Sequence, residues 1–181
     1  NYLADQINVP RFSTDSPEFE QAEKGIEARI QKLMNIKGKH SVDYFHKKLG
    51  NIMWNDVGMA REAEGLKRAV VEIDALKKEF WSNVRIPGVA DTTNQELEKA
   101  LRLADYFEIG QLMARDALNR EESCGGHFRV EHQTEEGEAL RHDDKFAYVA
   151  CWEYMGEDKE PVMYKEPLEY EFIVREQRDY K

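Results

Sequence analysis

Between Pro17 and Arg120 the apolar residues recur at three- and four-residue intervals in four separate runs, and this periodicity constrains the fold more than any other feature. In the first run Phe19, Ala22, Ile26, Ile30 and Leu33 share one face. Ser16 precedes it as an N-cap and Pro17 suits the first helical position, with Glu18 and Glu20 in the first turn; Gly38 stops it. Ser41 caps the second run, which carries Val42, Phe45, Leu49 and Ile52 to about Asn55 and is bounded by Gly58. The third begins near Arg61 and places Leu66, Val70, Ile73, Leu76 and Phe80 on a narrow stripe, with Lys67, Arg68, Glu72, Asp74 and Lys77 on other faces. A stripe that narrow suits an antiparallel bundle. Thr93 and Glu96 read as a capping box for the fourth run, which reaches about Arg120 with Leu97, Ala100, Leu103, Phe107, Gly110 and Ala114 inward. A mid-helix glycine costs roughly 1 kcal/mol against alanine, so Gly110 is expected at a close helix–helix contact.

Beyond Arg120 the pattern changes. Val130 to Asp144 is polar, and Phe146 to Tyr154 is rich in β-formers. A turn-like Gly156–Pro161 separates these from Val162–Tyr164, and Leu168–Val174 is again extended as a candidate third strand. Residues Asn1–Asp15 read as irregular, since Val9-Pro10 breaks any helix there. The expected fold class is mainly α: an antiparallel bundle with a lead-in helix and a small antiparallel β tail. Residues 1–130 would be the bundle with its lead-in, and 131–181 an irregular and β tail packed on it.

The chain has 181 residues, 41% hydrophobic and 34% charged, which is enough for a core without disulfides or metal. A net charge of −10 argues against a duplex nucleic-acid surface or an anionic membrane surface, both of which need basic patches. No apolar run approaches the ~18 residues of a membrane span. The opening Asn-Tyr-Leu-Ala-Asp-Gln has no initiator Met, basic n-region or h-region, and reads as the interior of a longer polypeptide. Two cysteines, Cys124 and Cys151, make no disulfide framework and suit a reducing compartment.

Catalytic patterns are sparse. The sequence has no glycine-rich dinucleotide fingerprint, no P-loop and no G-x-S-x-G elbow. Cys124, His127 and His132 lie close together, but a tetrahedral zinc site needs a fourth ligand and no C-x-x-C accompanies them, so no metal site is assigned. His40 and His46 read as solvated helix-end histidines. The tail aromatics Tyr148, Trp152, Tyr154, Tyr164, Tyr170 and Tyr180 read as packing residues before a binding platform. No catalytic pair is chosen from the acids.

The densest cluster of unusual residues is Asn119–Arg129, NREESCGGHFR. Gly125-Gly126 permits positive φ and close backbone approach. Two readings follow. One is a helix C-cap, with Arg120 near the negative end of the dipole. The other is a docking loop whose His127 and Arg129 face a partner. On that second reading the loop of the isolated chain would be wet, Arg129 would be exposed unless Glu121 or Glu122 folds back onto it, and its truncation would change stability by no more than about 0.5 kcal/mol.

The string from Arg120 to Arg129 resembles the R-x-E-S-R-G-A-H-x-R-x-D motif near the end of succinate dehydrogenase and fumarate reductase flavoprotein subunits, with Val130-Glu131-His132 where the family tends to carry acids and an aromatic. Arg120, Glu122, Ser123, Gly125, His127 and Arg129 match; Cys124 stands for Arg and Gly126 for Ala. Gly58-Met-Ala-Arg61 with Leu66, Asn94–Leu97, Arg141–Phe146 and Arg178-Asp-Tyr180 match further family segments in order. The resemblance implies a C-terminal three-helix, spectrin-like domain whose helices begin near Ser41, Arg61 and Thr93, with the Ser16 helix leading in. It implies a parent that interconverts succinate and fumarate with FAD, and that passes electrons to or from an iron–sulfur subunit. It implies that this segment carries no catalytic, cofactor-binding or metal residues, and that the six matched residues dock it onto the flavin domain. The parent would be peripheral on the cytoplasmic face of the inner membrane, touching a membrane anchor only indirectly. Two alternatives stand beside it: a free-standing helical interaction module, and the same domain of L-aspartate oxidase or adenylylsulfate reductase.

Overall fold

The structure, a computed structural model, describes residue 7 and residues 13–156 and 159–176. The Arg178-Asp-Tyr180 match and most of the Asn1–Asp15 segment lie outside the described residues. Four long helices come first: α1 (Pro17–Asn35), α2 (Val42–Asp56), α3 (Ala63–Asn83) and α4 (Gln95–Asn119). A single turn, α5 (Asp143–Phe146), precedes an antiparallel hairpin of β3 (Tyr148–Glu153) and β4 (Val162–Pro167). Two short strands, β1 (Ala60–Arg61) and β2 (Phe128–Arg129), pair in parallel.

The caps follow from local chemistry. Pro17 occupies the first position of α1 behind Ser16, although the Ser16 side chain makes no capping bond. Ser41 Oγ accepts the Tyr44 amide at 3.3 Å. For α4 the capping residue is Asn94, not Thr93. Its Oδ1 accepts the Leu97 amide at 3.1 Å, while Nδ2 donates to Pro87 O and Val89 O. The amide can thus tie the preceding loop to the helix start, which a threonine hydroxyl at 93 would not do.

The bundle is α2, α3 and α4, with α3 lying against both partners. Leu66, Ala69, Ile73, Leu76 and Phe80 of α3 are buried, so the face is wider than the expected stripe and Val70 sits at its margin. Phe80 is the hub. It meets Phe45 edge-on at 5.5 Å and Phe107 at 5.4 Å, joining all three helices in one aromatic cluster. Such pairs add about 0.5–1.5 kcal/mol each beyond their area. Gly110 is buried as expected: a Cβ there would lie 3.1 Å from Met53 Sδ of α2.

The lead-in helix is only half seated. Leu33 is buried and Ile30 partly so, but Phe19 and Ile26 are exposed, as is every residue of α1 from Pro17 to Ala28, so the N-terminal half of the helix adds nothing to the core. Below it the chain bends at Gly38, whose amide donates to Val84 O while Arg85 N donates to His40 O. A Cβ on Gly38 would fall 1.9 Å from the Asn83 carbonyl carbon, so the backbone approaches there without a side chain between.

The hairpin packs its Tyr148–Trp152 face on α4. Tyr148 is buried and its hydroxyl accepts from Asn119 Nδ2; Trp152 Nε1 donates to Asp116 Oδ1 at 2.8 Å. Among the described residues Leu168–Val174 forms no third strand. Only Leu168 N bonds back, to Ala147 O.

Candidate functional site

The last turn of α4 leaves its carbonyls without intrahelical donors, and the segment that follows is folded around them. Arg129 supplies the donors. Its Nη1 lies 2.9 Å from Ala117 O, 3.3 Å from Leu118 O and 3.5 Å from Arg120 O, and its Nε donates to Glu131 Oε2 at 3.2 Å. The residue is 2% exposed. The expectation of an exposed Arg129 in this chain is therefore corrected. The planar fork turns inward because bare carbonyls at the negative end of a helix attract a cation more strongly than water does. Neither Glu121 nor Glu122 pairs with it; the partner is Glu131, which also accepts the Ala63 amide at the start of α3.

Ser123 holds the backbone of Arg129. Its buried Oγ accepts the Arg129 amide at 2.8 Å and donates to the Arg129 carbonyl at 3.1 Å. Between them Cys124 and His127 exchange backbone bonds across a two-residue turn, with Gly125 at φ +58°. A glycine at positive φ in the first central position is the type II′ arrangement, which matches the twist of a hairpin. Gly125 thus makes the hairpin tip rather than the helix C-cap; the cap is Arg120, at φ −92° and ψ 93°. The tip of Cys124, Gly125 and Gly126 is exposed.

Arg120 and Glu122 tie this loop to the tail. Arg120 donates to Glu122 Oε1 at 2.8 Å, to Phe146 O at 3.0 Å and to Tyr148 O at 2.9 Å, and lies over the Tyr148 ring. The other Glu122 oxygen accepts the His142 amide at 2.9 Å, which explains how a carboxylate can be buried here.

His127 closes the layer. Nε2 lies 2.9 Å from Arg120 O and Nδ1 lies 2.8 Å from Arg61 Nη1. Arg61 has no lone pair to offer, so Nδ1 accepts and Nε2–H donates: the ring is neutral. Burial pushes its pKa down, and the Arg61, Arg129 and Arg120 cations push the same way, against the hydrogen bond to the Arg120 carbonyl. Both ring nitrogens are thus engaged within the chain, and His132 stacks edge-on with His142 at 5.5 Å. Arg61 also donates from Nε to Val57 O and Gly58 O, gathering the connection after α2.

All six residues singled out in sequence therefore meet in one layer at the end of α4. Arg61 and Glu131 belong to it as well. Arg61 was visible as a matched position with no role attached, and Glu131 stands where the motif ends in an acid, again with no role attached.

A family model described as the fumarate reductase flavoprotein C-terminus matches residues 46–180. The chain belongs to this family. The fumarate reductase flavoprotein subunit of Helicobacter pylori is 24% identical over 168 residues, covering 92% of this chain and 22% of that protein. An FAD-dependent oxidoreductase of Methanocaldococcus jannaschii is 29% identical over 108 residues, covering 60% of this chain and 19% of its own length. A solved chain of Escherichia coli quinol fumarate reductase superposes with a TM-score of 0.75 at 21% identity over 93% of this chain and 27% of that one. At that identity the likeness speaks for the fold: a mainly helical domain with a small antiparallel strand pair. The chain spans about a fifth of the length of the curated relatives it matches.

Proposed function

We propose that this chain is the C-terminal docking domain of a longer flavoprotein that interconverts succinate and fumarate with FAD. Electrons would pass to or from an iron–sulfur subunit, and the parent would lie peripherally on the cytoplasmic face of the inner membrane. The domain comprises a bundle with its lead-in over 1–130 and a tail over 131–181. The family match across residues 46–180 carries this reading. Within the domain the six matched residues divide the work. Arg120, Glu122, Ser123, His127 and Arg129 hold the loop in shape from within, and Gly125, with its neighbour Gly126, presents the exposed hairpin tip to the flavin domain. A rigid, side-chain-free tip lets another backbone approach closely.

The test compares the intact gene product with this chain. The intact protein is expected to contain FAD and to oxidise succinate with an artificial acceptor, whereas this chain does neither. Stoichiometric flavin on the isolated chain would refute the docking-domain reading.

A further inference from the structure

Beside the hairpin tip a surface pocket of about 410 Å³ opens between α4 and the loop, lined by Arg61, Met113, Asp116, Arg120, Cys124 and His127. Its cations are not equivalent. The fork of Arg120 is occupied by Glu122 and two backbone carbonyls. Arg61 is half-buried, and among the described residues no carboxylate touches it: Nε serves two carbonyls, Nη1 a neutral histidine nitrogen, and Nη2 nothing. Burial lowers its pKa, opposed only by the more distant attraction of Asp116, whose Oδ1 already accepts from Trp152. A half-desolvated guanidinium with open donors is a strong site for a carboxylate, since such pairs gain strength as water leaves.

We infer that the pocket over Arg61 receives an aspartate or glutamate side chain from the part of the parent polypeptide that covers this end of the bundle. The inference rests on the docking reading and names the chemistry of the covering surface. A protein side chain fits better than a free dicarboxylate. The pocket offers one open guanidinium and no second free fork, and its rim includes the exposed Met113, an apolar contact suited to a protein surface.

Cys124 reports on the pocket, because it lines it and its thiol is free and exposed. In a Cys151→Ser background, maleimide addition to Cys124 is followed by mass spectrometry of its peptide, in the intact protein and in this chain. The intact protein is expected to react at least about tenfold more slowly. Arg61→Gln in the intact protein is expected to restore most of the isolated chain's rate. Met113→Glu places a competing carboxylate at the rim and should do the same, while Met113→Gln should leave Cys124 protected. If Arg61→Gln fails to fold by circular dichroism, the Met113 pair decides alone. Equal rates in intact protein and isolated chain would overturn the docking reading itself. Protection that survives both Arg61→Gln and Met113→Glu would overturn only the carboxylate. Concentration-dependent protection of the isolated chain would put a second copy in the pocket, and protection by added succinate would put a free anion there; either overturns the inference.

Discussion

Truncating Arg129 to alanine tests whether the layer at the end of α4 belongs to this domain's own stability. The substitution removes one short bond from a charged donor, at 2.9 Å to Ala117 O, and weaker contacts at 3.3 and 3.5 Å. A hydrogen bond to a charged group contributes about 1.5–3 kcal/mol, and the carbonyls left bare at a buried helix end raise the cost further. The Glu131 pair adds little, because that carboxylate is 40% exposed. The expected loss is about 3 kcal/mol, which for a chain of this size corresponds to roughly 6–12 °C in Tm. Urea unfolding followed by far-ultraviolet circular dichroism measures it directly. Arg129→Lys should recover only part of the loss, because a point charge cannot reach three carbonyls and a carboxylate together. A loss below about 1 kcal/mol for the alanine variant would refute the capping role and return Arg129 to the exposed docking reading.

Ile73→Ala, at 0% exposure in the bundle core, should cost about 2–5 kcal/mol in the same assay, and a value near zero would mean the buried face of α3 is misassigned. Gly38→Ala drives a Cβ into the Asn83 backbone and should cost at least about 2 kcal/mol; a neutral result would mean the α1–α2 connection moves freely. The pH dependence has a definite sign. His127 and His132 titrate below their ordinary 6.5 in the folded state, so the unfolded chain binds more protons between the folded and ordinary values. Stability is thus full above about 6.5 and falls as pH drops through that window. His127→Gln should flatten this slope in urea titrations between pH 7 and 5, and an unchanged slope would remove His127 as its source.

The helices were legible because each long run carries a period and three of the four carry a start signal as well: Pro17, Ser41 and the Thr93-Asn94 pair mark α1, α2 and α4, whereas α3 begins at Glu62 with no capping side chain and was found by its period alone. Thr93 misled by one position because both it and Asn94 suit an N-cap, and only the preceding loop, with carbonyls at Pro87 and Val89, selects the amide. Phe19 and Ile26 share a stripe with Leu33, but periodicity says only that a face is apolar, not how much of it a neighbour covers. The β1–β2 pair was invisible, since two-residue strands have no period. The six loop residues were found as a cluster, yet their direction was not. Whether an arginine turns toward a partner or toward its own helix depends on which carbonyls lie nearby, and Arg129 reaches those of α4 only because Ser123 fixes its backbone.

The bond from the Ala63 amide to Glu131 spans 68 residues, so the first turn of α3 is completed from beyond the far end of α4. This bears on the order in which a ribosome can deliver the fold. At roughly 5–20 residues per second, the first residue of α3 leaves synthesis some 3–14 s before the carboxylate that finishes its turn. The start of α3 waits through the whole of that interval and the finish of α4 through about the last 12 residues of it, and both wait on the same short stretch, residues 129–131. The helices can pair as they emerge, but their ends lock together in a single late event. A nascent chain halted short of Arg129 should therefore remain open to protease at both places at once.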